Sequence, residues 1–590
     1  MPGLIGFTKN YKYGDPMLLR MRELIRYFKW YQDDVIYSDE HICASRIHLG
    51  IIDQAQQPYN VNNHIYSWLE GELYNHDELE AKYDVASVND NELLLNIYFK
   101  TKSFDFLKDV DGYYAAVIYD KVQNTVYLIT DRYGFKPLYW GRINGSFSWS
   151  SELKGFLGHE DIKIKIDAVA VEQFFNVGYL LENRTWFEGI ELMPPAAILE
   201  FNIMESEAKI THYWSWSEIK PLKEAIDEKE ISFELGRLFK QAVRKRMQIN
   251  ERIGITLSGG LDSRAILAAA SNAHKPLHTF TFGLDGCDDM VIAKKAAAIK
   301  GAVHHDLHIN SNNWLTQRIG GVWKTDGLQN LMHMHGVEFS HDYRSHIDIN
   351  LNGFAGDLVL GVSYLTRNHF DRKIDSNAVT RMMKSKSRIH NFADWYLIDK
   401  TDPYFINNRV RRFTNNGLIH MSKSIEQRMP FFSNRLIEYV YSLPDILRYK
   451  SRIYRKLLLS EFPEYFISIP WQKTGCPITY PYALVRVINY RNLWLERLKR
   501  KTGRISIKYT DLHNYTDYAK WLRQEPAKSF FKSVLFSKSA IYPEYIDQRI
   551  VRNQMKDHLE EKSNYHEELC LVLTFELWLQ QVFEGLYRQH

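Results

Sequence analysis

At 590 residues and 69.7 kDa, the chain is long enough for two or more domains, and its 45% hydrophobic and 25% charged content is that of a globular protein. A net charge of +4 over this length gives no electrostatic ground for a nucleic-acid partner. Cys43, Cys287, Cys476 and Cys570 form no CxxC pair or Cys/His cluster, and the N-terminus lacks signal-peptide order; with no apolar run near the roughly 18 residues of a membrane span, the expectation is a reduced, cytoplasmic protein without a membrane partner.

From Ile42 to about Phe201, short runs rich in Val, Ile, Tyr and Trp alternate with turn residues. RIHLGIID, HIYSWLEGELY, YYAAVIYD, TVYLITD and GSFSWSSE predict strands of antiparallel sheets. Helical spacing is confined to Pro16–Trp30, Asp90–Lys100 and Ala168–Phe175. The charged stretch Ser217–Ser232, with Pro221, reads as a linker running into a helix. Beyond it come an amphipathic helix (Phe233–Gln248), a buried strand (RIGITL), a helix (SRAILAAAS), a strand (HTFTFGL) and a helix (VIAKKAAAIKG). Strand and helix in alternation imply a parallel α/β sheet. After about Ala393 the pattern is largely helical. The predicted fold is therefore an α+β N-terminal domain over residues 1–215, with antiparallel sheets and flanking helices. An α/β parallel-sheet domain with a helical C-terminal part follows, over residues 225–590.

The sharpest local signal is Leu257-Ser258-Gly259-Gly260-Leu261-Asp262-Ser263, between a strand and a helix. Its glycines expose backbone N–H groups, Ser258 and Ser263 add hydroxyls, and the helix N-terminus adds partial positive charge, a combination that suits pyrophosphate. Asp262 in such a cradle calls for a cation, which makes it a natural Mg²⁺ ligand.

This string is not the GxxxxGK[ST] loop; it resembles the pyrophosphate loop of N-type ATP pyrophosphatases. LEGELYNH (Leu69–His76) resembles the NGEIYNH segment of class II glutamine amidotransferases. DRYGFKPLY (Asp131–Tyr139) and SELK (Ser151–Lys154) are similar to two further segments of those domains. EQRMPFF (Glu426–Phe432) and WQKTG (Trp471–Gly475) resemble segments of the asparagine synthetase family. The order of all these segments matches that superfamily. The resemblance implies an ATP-dependent ligase that adenylates a carboxylate, releases pyrophosphate and passes the acyl group to nitrogen, with ATP and Mg²⁺ as cofactors. It assigns adenine and ribose to Leu257, Phe282 and Gly283, and pyrophosphate to Ser258, Gly259, Gly260, Asp262 and Ser263. Asn352 and Gly353 fall in a segment resembling the SGEGADE turn; Asp357 there would be the second metal ligand. Lys473 would steady charge growing in the transition state. Glu426 is a candidate base only through its matching segment.

The departures from that family are concentrated at the glutamine site. Working members have a cysteine after the initiator methionine, where this chain has Pro2. The residue expected to donate to the oxyanion is Glu70, and the arginine expected to grip the glutamine carboxylate is His48; Gly71, Glu72 and Asp90 still match. The expectation is an inactive glutaminase domain, as in the β-lactam synthetases and lasso-peptide macrolactam cyclases that the chain resembles in this respect. Phe354 stands where the SGEGADE turn has its first glutamate, and Ser433 where PFLD has its aspartate, which suggests a rebuilt acceptor pocket.

The substrate expected is a small molecule or peptide bearing a carboxylate; a homodimer or a biosynthetic complex is left open. Competing readings are an asparagine synthetase using ammonia or glutamine, and a non-catalytic scaffold. The histidine groups His304, His305 and His308, and His333 and His335, read as structural rather than as metal ligands.

Overall fold

The computed structural model describes residues 3–9, 14–160, 162–222, 227–273, 276–361, 365–372, 375, 400–501 and 514–586. Pro2 lies outside them.

Two antiparallel sheets make the N-terminal half. One is built on Gly3–Thr8, Ile42–His48, Tyr139–Ile143, Ser146–Ser150 and Ile190–Leu192, with the short strands Gln32–Asp33 and Tyr37–Ser38 at Ile42–His48. The other runs in the order Glu207–His212, Ala197–Asn202, Thr125–Thr130, Gly112–Asp120, Ile65–Leu73, Tyr59–Val61. Strand alternation sends Ala115, Val117 and Tyr119, and Val126 and Leu128, into the layer between the sheets, where Phe147 stacks on Phe201 at 4.1 Å. Helices cover the outer faces. Asp90–Thr101 starts on an Asn89 cap, whose side chain accepts from the Glu92 N–H at 2.9 Å. The first helix is Asp15–Ile25, five residues shorter than Pro16–Trp30 predicts at its C-terminal end. Arg26 turns extended there and its guanidinium pairs with Asp33, while Phe28, Trp30 and Tyr31 pack as an aromatic group instead of continuing the helix.

The C-terminal half carries a parallel sheet in the order Val303–His308, His278–Gly283, Ile253–Thr256, Ile349–Leu351, Glu426–Arg428. Ile253–Thr256 comes first in sequence and lies in the middle. The chain adds two strands on one side of it, then crosses to the other, so the switch point falls at its C-terminal end. The strands Ile349–Leu351 and Glu426–Arg428 are three residues each, too short to show a period in sequence. Beyond them the chain is mainly helical, ending in His566–Phe583, which is buried over most of its length. Among the described residues no helix is long and apolar enough to cross a membrane.

The two halves share a polar and aromatic joint. Arg428 forms a two-pronged pair with Glu72, with Nε to Oε2 at 2.8 Å. Ser433 Oγ donates to Asp111 at 3.1 Å, and the Asn415 amide to the Phe135 carbonyl at 2.7 Å. Glu152 and Lys154, from the SELK segment, are buried against Lys423 and Asp326, at 2.6 and 2.8 Å. Phe354 is only 4% exposed and packs on Phe135 and Phe432, with ring centroids 5.5 and 5.7 Å away. The expectation of a rebuilt acceptor pocket at Phe354 and Ser433 therefore takes a different form: both side chains belong to the joint.

Candidate active site

The phosphate-loop string follows the central strand directly, at the switch point. Ser258 and Ser263 approach each other, Oγ to Oγ 3.1 Å, and the Ser258 N–H donates to Ser263 Oγ at 3.0 Å. The helix Leu261–Ala269 has Gly260 as its N-cap, which supplies no side-chain oxygen to the first turn of N–H groups. The Gly259 N–H donates to Asp289 at 2.7 Å, a contact with no sequence signal beyond an acidic residue early in a helix.

Asp262 is the electrostatic centre of the site. Tyr454 donates to Oδ1 and the Asp357 N–H to Oδ2, both at 2.8 Å. Even so, burial first and the Asp357 charge second push its carboxyl up to about 8. The approach of the two segments requires glycine: a Cβ on Gly353 would stand 2.8 Å from the Ser263 nitrogen, and one on Gly356 2.7 Å from Asp262 Cγ. The turn Asn352–Asp357 thus seats Asp357 against Asp262, and Asn352 is held by its N–H bond to the Arg428 carbonyl at 2.9 Å. Two acidic residues brought together, with Asp262 in no ion pair among the described residues, fit a divalent cation.

Lys473 is carried to the same loop. The Gln472 N–H donates to the Gly259 carbonyl at 3.2 Å, and the Trp471–Gly475 turn leaves Lys473 exposed beside it. Leu257 bonds through its N–H to the Phe280 carbonyl at 2.8 Å, and its carbonyl accepts from Thr281 Oγ1 at 2.6 Å. Gly283 lies against Tyr515, whose carbonyl accepts from the Leu284 N–H at 2.9 Å.

A mainly apolar cavity of 210 Å³ adjoins the loop, lined by Thr256, Phe282, His335, Asn350 and Asn352 among others. Its polar groups are fixed by a chain of donors. The Thr256 N–H can only donate, so Asn350 presents Oδ1 to it, at 2.8 Å; the Asn350 amide then donates to Gln427 Oε1, also at 2.8 Å. Gln427 Nε2 is left with no partner among the described residues, on a side chain 2% exposed; Gln329 Oε1 is orphaned in the same lining. Sequence reasoning passed over Gln427 although it lies inside the EQRMPFF segment. Strand alternation explains the outcome: Gln427 faces the cavity, while its neighbours Glu426 and Arg428 face the N-terminal half. Glu426 is buried 4.0 Å from Lys136, away from Asp262, and burial raises its carboxyl.

The residues matched to the glutamine site lie together in the N-terminal half. Glu70 pairs with Lys136 at 3.1 Å; burial pushes its carboxyl up, but Lys136 and Arg46 outweigh that and hold it below the usual range. His48 is buried 3.7 Å from Asp34, and burial and Arg46 push it below its usual range. Gly71, at φ +126°, lies where a Cβ would meet the Tyr113 carbonyl at 2.1 Å. Asp90 accepts from the Leu73 N–H and meets His76 Nδ1, at 2.8 and 2.7 Å. An open cleft of 690 Å³ runs past Gly71, Glu72 and Asp90; six carboxylates line it and, among the lining residues, no lysine or arginine.

The fold and this site define a two-part protein, an amidotransferase-like half beside a nucleotide-loop half. Residues 1–214 match the family model described as glutamine amidotransferase domain, and residues 234–416 and 404–580 match asparagine synthase. The second match covers more than half of the chain, which belongs to the asparagine synthase family. Glutamine-hydrolyzing asparagine synthetase 2 of Bacillus subtilis is 24% identical over 73% of this chain and 65% of its own length. Asparagine synthetase 3 of the same organism is 24% identical over 75% and 82%, and that of Gallus gallus 25% over 71% and 73%. The chain thus spans slightly under two thirds of the length of some of these relatives. A solved structure titled as the allosteric regulatory enzyme of purine biosynthesis overlaps 52% of this chain and 80% of its own, at 11% identity. Its TM-score of 0.26 is too low to carry an argument.

Proposed function

We propose that the chain is an ATP-dependent, AMP- and pyrophosphate-forming carbon–nitrogen ligase whose amine does not come from glutamine. The observation that carries this reading is Asp262: a carboxyl pushed up to about 8 beside Asp357, inside a phosphate-type loop, is a site short of one cation. Asp262 and Asp357 would hold Mg²⁺, which when bound neutralises phosphate charge. In the synthetase unit, residues 225–590, Ser258, Gly259, Gly260 and Ser263 cradle the pyrophosphate of ATP. Leu257, Phe282, Gly283, Asn352 and Gly353 bound the nucleoside, whose base enters the 210 Å³ cavity. There Gln427 Nε2 and Gln329 Oε1 supply one donor and one acceptor to an uncharged ring edge. Lys473 meets negative charge as it develops on the α-phosphate while a substrate carboxylate attacks; an amine then displaces AMP. The reading assigns no general base, because Glu426 faces the other half.

The glutamine-independent part rests on the N-terminal unit, residues 1–215. A glutamine carboxylate entering the acidic cleft would meet like charge, and His48 and Glu70 are turned to internal partners. An amine built into the substrate, in a small molecule or peptide, needs no delivery from that unit and gains from proximity to the activated acyl group. The names of the relatives favour a second reading, formation of asparagine from aspartate with ammonia or glutamine.

The test is pyrophosphate release across amino acids and peptides, with glutamine, ammonia or neither added. Release that needs no glutamine, and that falls roughly 10²–10³-fold in Lys473→Ala, is the expected result. Hydrolysis of glutamine at an enzymatic rate would overturn the glutamine-independent part; aspartate-dependent release with ammonia would select the second reading.

A further inference from the structure

We propose that the chain carries a site for a late first-row transition-metal dication, of the zinc type, at the end of the parallel sheet opposite the phosphate loop. Its ligands are His278, His305 and His346, and it is independent of the ligase reading.

Three separate elements supply these residues. His278 opens the strand His278–Gly283, His305 lies within the strand Val303–His308, and His346 closes the helix Ser340–His346. The parallel register pairs His278 with Val303, so His305, two residues on, shares a face with His278. His304 points to the other face, where its Nδ1 meets Thr279 Oγ1 at 2.9 Å. The doublet His304-His305 is therefore split by the pleat, and its functional half is visible only with His278 and His346 beside it.

One ring nitrogen of each of the three histidines lies within 4.8 Å of those of the other two. His278 Nδ1 and His305 Nε2 are 2.9 Å apart, a separation open to two nitrogens that share one ion at roughly 2.0–2.1 Å. His346 stacks on His305 with ring centroids at 4.3 Å and on His278 at 5.2 Å, so rotation of the rings from stacked to convergent accompanies binding. The nearby Arg252 guanidinium is already paired with Asp348 at 2.8 Å, so its charge is partly met by a carboxylate. The 2.9 Å contact is an N–H···N hydrogen bond. On binding, its proton moves to the other nitrogen of the same ring; no bond to carbon changes and no electron is transferred.

Three imidazoles leave a fourth position for water and select zinc, nickel or copper over magnesium, which prefers oxygen. The cation at Asp262 and Asp357 is thus chemically distinct from this one. A metal here would tie two strands to a helix.

The test uses the full chain, with zinc titrated calorimetrically and cobalt(II) as a spectroscopic probe. Wild type should bind zinc and give the intense visible bands of four-coordinate cobalt. His346→Ala and His278→Gln should each weaken zinc at least about tenfold and abolish those bands, with the metal-free melting temperature retained. Zinc titrations that coincide for wild type and both variants would overturn the proposal. So would a weak, six-coordinate cobalt spectrum in the wild type, which needs no variant to fold.

Discussion

The phosphate-type loop and the residues matched to the glutamine site are both built from segments that match one family, yet their charges are arranged differently. At the glutamine-matched site four carboxylates have partners within the protein, Glu70 with Lys136, Glu72 with Arg428, Asp53 with Arg46 and Asp90 with His76, although burial still raises the Asp53 carboxyl to about 6. At the loop, Asp262 is held by a tyrosine and a backbone N–H, neither carrying charge, and its carboxyl rises to about 8. Uncompensated charge at Asp262 is what a bound cation would meet, whereas Glu70 and Glu72 are tied to partners inside the protein. The fate of a motif can thus be read from where its charges are compensated, even when its letters are retained.

The largest effect should come from Asp262→Asn. Pyrophosphate release should fall by roughly 10³-fold, about 4 kcal/mol, with an unchanged circular dichroism spectrum. Retained release would erase the contrast between the two regions. Next is Phe354→Glu, which restores the glutamate of the family turn. The new carboxylate would be buried between Phe135 and Phe432, and denaturant titration should show a loss of about 3 kcal/mol without any gain of aspartate-dependent activity. Glu70→Gln should cost about 2 kcal/mol by the same measurement, because Lys136 keeps only the more distant Glu426; an unchanged stability would mean that the pocket is not internally closed.

The smallest effect is a pH dependence beside the 210 Å³ cavity. His420 is 1% exposed, and burial, then Lys324 and Arg318, push it down to about 3. Its folded value lies below the unfolded value of about 6.5, so the folded state prefers the neutral ring. Its contribution is complete above pH 6.5 and is lost as pH falls from there toward 3. Between pH 6.5 and 5.5 the loss should be about 1 kcal/mol, and His420→Gln should flatten that part of the stability profile. A profile with the same slope in the variant would assign the acid sensitivity elsewhere.

Much of this was legible before any coordinates. Short apolar and aromatic runs marked Ile65–Leu73, Gly112–Asp120, Thr125–Thr130 and Ser146–Ser150, whereas RIHLGIID meets its strand, Ile42–His48, only at Arg46–His48 and Gly3–Thr8 was not marked; Ser258–Ser263 marked the glycine-rich strand-to-helix turn, a local property. The strands Ile349–Leu351 and Glu426–Arg428 were not legible, since three residues carry no period. Nor were Tyr454, Gln427 or Gln329, which act at positions set by packing between distant segments.

By itself the sequence determined that a glycine- and serine-rich loop stands at the head of a helix and that Pro2, His48 and Glu70 depart from a glutamine-cleaving pattern, because residue identity and spacing are enough for both. Only the tertiary structure decided that Asp357 closes on Asp262, that Phe354 seals the joint, and that Glu426 turns from the cavity that Gln427 enters. Those outcomes depend on which face of a strand each side chain takes and on how near two remote backbones come, and no local pattern encodes either.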